Sequence, residues 1–85
     1  MPSKTVAVGS SVGLHARPAA IISEAAGELD SDVLIGVPGD EPVDAGSSLL
    51  IMTLGAGPGD LVEVSSDDQA ALDAIVALVE KDLDA

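Results

Sequence analysis

The sequence has no cysteine and no aromatic residue, and its only basic residues are Lys4, Arg17 and Lys81, against 15 acidic ones. Without cysteine there are no disulfides and no thiolate metal sites, which fits a reducing, cytoplasmic compartment. One histidine and no thiol leave only scattered carboxylates for a metal, so neither a metal nor a cofactor is expected. Without aromatics, Val, Ile, Leu and Ala must build the whole core. A net charge of −12 with no basic patch excludes nucleic acid as a partner, because its phosphates would be repelled. No apolar run approaches the roughly 18 residues of a membrane span. No basic segment leads into an apolar run at the start, so neither membrane insertion nor a secretory signal is expected.

What is present is enough for one small domain over residues 1–85, and a hydrophobic fraction of 47% marks a folding sequence rather than a disordered one. The acidic residues are unevenly placed. Residues 1–23 hold no carboxylate, and residues 45–59 hold no charge at all. Two such segments in so acidic a chain suggest a protected surface. The alternative is that they are simply core elements and tight turns.

Residues 4–8, "KTVAV", alternate and are β-branched, which predicts a first strand with Val6 and Val8 inward. The glycines and serines of "GSSVG" predict a loop. A helix is expected over 16–27, with Ala20, Ile21, Ala25 and the stem of Glu28 on its inner face. Pro18 is tolerated in its first turn, where N–H groups have no intrahelical partner to lose. Residues 32–37 and 42–45 read as a hairpin around "PGDE", with Pro42 suggesting a sheet edge or a strand end. Residues 47–54, "SSLLIMTL", are ambiguous by period, with serines in front that could cap a short helix. Residues 60–65 alternate as a fourth strand, with Leu61 and either Val62 or Val64 competing for the core. "SDDQ", 66–69, has a capping-box pattern, and Leu72, Ile75, Val76, Val79 and Leu83 make one apolar stripe. The order β-α-β-β-(short α)-β-α gives an α+β fold: a four-stranded antiparallel sheet with three helices packed on one face, an open-faced β-sandwich.

The stretch "GLHARPAA", 13–20, concentrates the chemistry. His15 stands just before a helix start, among backbone N–H groups that have no partner. A neutral ring nitrogen is a competent nucleophile. If it attacks a phosphoryl group, the negative charge of the product lies where the free N–H groups of Ala16 and Arg17 point, and helix N-termini bind phosphate for this reason. The Arg17 guanidinium can add bidentate contacts to the phosphoryl oxygens, and Pro18 stiffens the turn. The plainer alternative is that a lone histidine is a surface or cap residue.

The same stretch resembles the active-site motif of the HPr family, the histidine-containing phosphocarriers of the bacterial phosphoenolpyruvate-dependent sugar phosphotransferase system. The resemblance extends over nearly the whole chain, through the length, the element order and the serine-led "LG" segment at 47–55. It implies that His15 accepts a phosphoryl group on Nδ1 from phospho-enzyme I and passes it to IIA domains of sugar permeases, with Arg17 supporting both transfers. It implies a carrier rather than an enzyme, monomeric, in the cytoplasm. It implies a docking surface formed by the first and second helices, here Ala16, Arg17, Ala20, Ser48, Leu49 and Met52, with Leu49 and Met52 as interface anchors unless they belong to the core. Ser47 matches, with a one-residue offset, a serine that an HPr kinase/phosphorylase modifies in some relatives; a phosphate there would add a charge of about −2. The alternative is a plain helix cap.

The chain departs from the family pattern in carrying no lysine on that face, with Glu24 where relatives often have a basic or amide residue. Electrostatic steering should therefore be weak. Val12 stands where relatives often have Asn or Ser, removing one polar support. Two other functions fit the same residues. One is a carrier in a regulatory, nitrogen-related branch. The other is a small α+β interaction module in which His15 is incidental.

Overall fold

A computed structural model of the chain describes residues 2–81. Its strands are β1 (Ser3–Ala7), β2 (Val33–Gly36), β3 (Val43–Asp44) and β4 (Leu61–Ser66), and its helices α1 (Ala16–Gly27), α2 (Ser48–Thr53) and α3 (Gln69–Glu80). The strands form one sheet in the order β1-β4-β2-β3, with every neighbouring pair antiparallel. Helix α3 packs on β1, β4 and β2, α2 packs on β3, and α1 packs on both other helices. This is the expected α+β open-faced sandwich.

The core follows from the register. Val6 lies opposite Val62, and Ile35 opposite Val64. All four side chains are buried, against Ile22, Ile51, Leu72, Ile75 and Val79 of the helices. With no aromatic ring available, the interior is a lattice of branched aliphatic groups. The other face of the sheet leaves Thr5, Glu63 and Leu61 in solvent. Leu61 was expected among the core candidates, but strand periodicity sends it to the open face once Val62 and Val64 point inward, and it is 54% exposed.

The helices correct two further expectations. The buried face of α1 is Pro18, Ala19, Ile22 and Ala26, whereas Ala20 is exposed and Ile21 and Ala25 are half-buried. The doublets Ala19-Ala20, Ile21-Ile22 and Ala25-Ala26 offer two stripes one residue apart. The stripe that wins continues from Leu14, which is buried in the preceding loop. Leu14 and Ala19 hold the N′ and N4 positions at which a hydrophobic staple fixes how the chain enters a helix.

Helix α3 is capped by Asp68 rather than by Ser66. The Asp68 carboxylate accepts the N–H groups of Ala70 (2.9 Å) and Ala71 (3.4 Å). Ser66 is instead the last, buried residue of β4. Its hydroxyl donates to the Asp32 carbonyl (2.8 Å) and accepts the Asp68 N–H (3.2 Å). Gln69 turns forward to donate to Asp73 rather than back to close a capping box. The stripe Leu72, Ile75, Val76 and Val79 is buried as expected, and Leu83 lies outside the described residues.

The ambiguous 47–54 segment is a helix because Ser47 caps it, its side chain accepting the Leu50 N–H at 3.3 Å. β3 is only two residues long and lies at the sheet edge, as Pro42 suggested.

Candidate functional site

His15 is the N-cap of α1, with extended backbone (φ −82°, ψ −169°). Its carbonyl accepts the first helical hydrogen bond, from Ala19 N–H at 2.9 Å. Its side chain makes no capping bond and is exposed. The imidazole therefore does not cap the helix, at the position where a cap side chain normally works. The N–H groups of Ala16 and Arg17 start the helix with no intrahelical partner, and Pro18, third in the turn, has none to present. Ala16 and Arg17 are exposed and Pro18 is fully buried, so the turn is anchored from below and open above.

Two attachments hold the loop that delivers His15. On one side Gly9 N–H donates to the Val79 carbonyl at the end of α3 (3.0 Å), and a side chain at Gly9 would collide with the Glu80 carbonyl. Ser10 is buried, and its carbonyl and hydroxyl accept the N–H groups of Gly13 (3.1 Å) and Val12 (3.4 Å). On the other side Leu14 N–H donates to the Ala56 carbonyl at 2.9 Å. Gly13 makes that approach possible, with φ +75° and a would-be Cβ only 2.6 Å from the Ala56 oxygen. Sequence reading missed this attachment; its only local trace is a glycine two residues ahead of the histidine.

The surface near α1 is apolar. α2 packs against α1, yet of its residues only Ile51 is buried. Leu49 is 68% exposed and Met52 36%, so both lie on the surface rather than in the core. Leu50 and Val12 are exposed as well, at 40% and 44%. They were not among the expected interface residues, although a six-residue helix resting on one side cannot bury more than a small part of "LLIM". Ser48 is half-buried, and Ala20 is exposed on the same helix as Arg17. Ser47 is half-buried, its oxygen occupied as the α2 cap.

Every described carboxylate is exposed, and none falls in residues 2–23 or 45–59. The acid-free segments thus include both buried core residues and this exposed apolar surface. No pocket opens among the described residues, and no group of three His, Cys, Asp or Glu could hold a metal among them. No described helix is long and apolar enough to cross a membrane. The site is an open surface centred on one imidazole.

Residues 2–81 match the family model described as the PTS HPr component phosphorylation site. The chain is 38% identical over 87 residues to the phosphocarrier protein HPr of Streptomyces coelicolor, covering 99% of this chain and 94% of that one. It is 36% identical over 84 residues to the phosphocarrier protein NPr of Shewanella violacea, covering 95% and 91%. Its fold superposes on the crystal structure of a phosphocarrier protein HPr from Bacillus anthracis with a TM-score of 0.84 at 33% identity, over 92% of this chain and 95% of that one. A match across the described fold, with an exposed histidine at the start of its first helix, places the chain in the HPr family, the phosphocarriers of the phosphotransferase system, which relay a phosphoryl group and are not catalysts themselves.

Proposed function

We propose that His15 is the phosphoryl acceptor and donor of this chain, taking the group from phospho-enzyme I and giving it to IIA domains of sugar permeases. The observation that carries this reading is the exposed N-cap imidazole free of any capping bond. The ring nitrogen attacks phosphorus, a new N–P bond forms, and the bond from phosphorus to its donor breaks with its electron pair. In the second transfer a nucleophile of the IIA domain attacks phosphorus, and the N–P bond breaks with its electron pair returning to the His15 ring. The dianionic group on His15 is stabilised by the free N–H groups of Ala16 and Arg17 and by the Arg17 guanidinium, while buried Pro18 holds the turn. Partners dock on the carboxylate-free surface of Ala16, Arg17, Ala20, Ser48, Leu49 and Met52, joined by Val12 and Leu50. The chain acts as a monomer in the cytoplasm, where its partners meet it. The NPr relative supports a second reading, the same His15 chemistry in a regulatory branch.

The test is a relay. Phosphorylation of a IIA domain from phosphoenolpyruvate should require both enzyme I and this chain, and a IIA domain phosphorylated equally well without the chain would defeat the proposal. In the same relay Arg17→Ala should slow both transfers by roughly 10- to 100-fold, the loss of one or two charge-assisted hydrogen bonds. Equal rates would remove Arg17 from the mechanism.

Ser47 is the proposed regulatory position. Aspartate caps a helix as well as serine does, so Ser47→Asp keeps α2 and changes mainly the charge. Its affinity for enzyme I should fall by about tenfold or more, while neutral Ser47→Asn stays near the unmodified value. Equal affinity for both variants would place Ser47 off the interface.

A further inference from the structure

The loop between α2 and β4 contains a device that bears on His15. Asp60 N–H donates to the Gly57 carbonyl at 3.1 Å, closing a turn with Pro58 and Gly59 (φ +79°) at its corners, the residue pair that a type II turn selects. Such a turn needs no further support. Yet the Asp60 carboxylate also accepts the Gly57 N–H, at 2.8 Å. That N–H belongs to the Ala56–Gly57 peptide group, whose carbonyl accepts the Leu14 N–H at 2.9 Å. A peptide group is rigid and planar, so fixing its N–H end fixes the direction of its carbonyl end. The carboxylate also polarises the amide and makes the carbonyl a better acceptor.

Asp60 is itself firmly held. Val8 N–H donates to its carbonyl and Gly59 N–H to the Val8 carbonyl, both at 2.9 Å, extending the β1–β4 pairing. The chain of bonds therefore runs from the sheet, through the Asp60 carboxylate and one peptide plane, to the residue directly before His15. It is also notable that this carboxylate is the first acid after the charge-free span 45–59.

We infer that Asp60 is a positioning residue for His15, acting through the Ala56–Gly57 peptide; the inference rests on the carrier reading of His15. The carboxylate touches neither the imidazole nor the phosphoryl group. It sets the N-cap geometry that aims the ring, so its removal should lower transfer without unfolding the chain.

The test uses the full chain with Asp60→Ala, Asp60→Asn and, as a charge control, the exposed turn variant Asp40→Ala. Two quantities are read: the exchange rate of the Leu14 amide hydrogen, and the rate of phosphoryl uptake from phospho-enzyme I. Asp60→Ala should speed Leu14 exchange and slow uptake, each by about tenfold, the loss of one charge-assisted hydrogen bond. Asp60→Asn, which keeps an acceptor oxygen, should recover most of both, and Asp40→Ala should change neither. If Asp60→Ala leaves either quantity unchanged, or if Asp60→Asn loses as much as alanine, the inference is overturned. An Asp60→Ala chain that does not fold also overturns it, because the carboxylate would then hold the fold rather than aim His15. A chain that takes no phosphoryl group even unmodified sinks the carrier reading instead, and Leu14 exchange still decides whether Asp60 holds the loop.

Discussion

The His15→Ala chain is expected to take up no phosphoryl group from phospho-enzyme I and to melt within about 4 °C of the unmodified protein. Both halves follow from the same geometry. The imidazole is exposed and makes no capping bond, so alanine removes no packing and breaks no hydrogen bond. Helix α1 keeps its other supports, buried Pro18 and Ala19 below and the Leu14 bond behind. The chain has no second histidine and no cysteine to take over as nucleophile. Circular dichroism and a thermal melt, run beside a mass measurement, check the outcome. A variant that unfolds would make His15 a structural residue. A variant that still carries a phosphate would move the acceptor elsewhere.

The second large effect is on the fold. Gly13→Ala should destabilise the chain by roughly 3 kcal/mol, summing left-handed backbone strain with the cost of forcing apart a packed contact. For a domain of this size that is a fall of more than about 10 °C in Tm. The contact is with backbone, the Ala56 oxygen at 2.6 Å and Gly57 Cα at 2.9 Å, and neither can rotate away as a side chain could. Gly39 separates the two contributions, because it also has a positive φ, +93°, but nothing within 4 Å of a would-be Cβ. Gly39→Ala should lose only the strain, about 1–2 kcal/mol. Since Gly13 sits beside the Leu14–Ala56 bond, the folded fraction of Gly13→Ala should also carry phosphate more slowly. Equal melting of the Gly13 and Gly39 variants would mean that the two loops are not packed as described.

Strand and helix positions were largely legible because each rests on a local pattern. The α3 stripe, the inward Val6 and Val8 and the edge position of the 42–45 strand were read from spacing and from one proline, and hold in the structure. The errors share a cause: a doubled signal whose resolution is non-local. Adjacent alanine and isoleucine doublets left two faces open for α1, and packing of Leu14 and Pro18 selected one. Ser66 and Asp68 both suit a helix start. Pairing of β4 with β2 through Ser66 took the serine into the sheet and left the cap to Asp68. Leu61 looked as apolar as its neighbours, and only the Val6–Val62 register turned it outward.

The candidate site was legible for the opposite reason. His15, Ala16, Arg17 and Pro18 are consecutive, so the helix start that organises them is written in one short stretch. What supports the stretch was not legible. The Leu14–Ala56 bond joins residues far apart in sequence, and the Asp60 carboxylate reaches it through a peptide group that no side-chain pattern reports. The exposed Val12 and Leu50 were also hidden, because an apolar residue in a folding sequence reads as core until the fold shows which side of a short helix is covered.

The most direct measurement is the mass of the intact chain after incubation with phosphoenolpyruvate and enzyme I from the same organism, before and after brief acid treatment. The expected result is a single added phosphate that is lost in acid, survives base, and is absent from the His15→Ala chain. No added phosphate, or one that survives acid as a serine ester does, would contradict it.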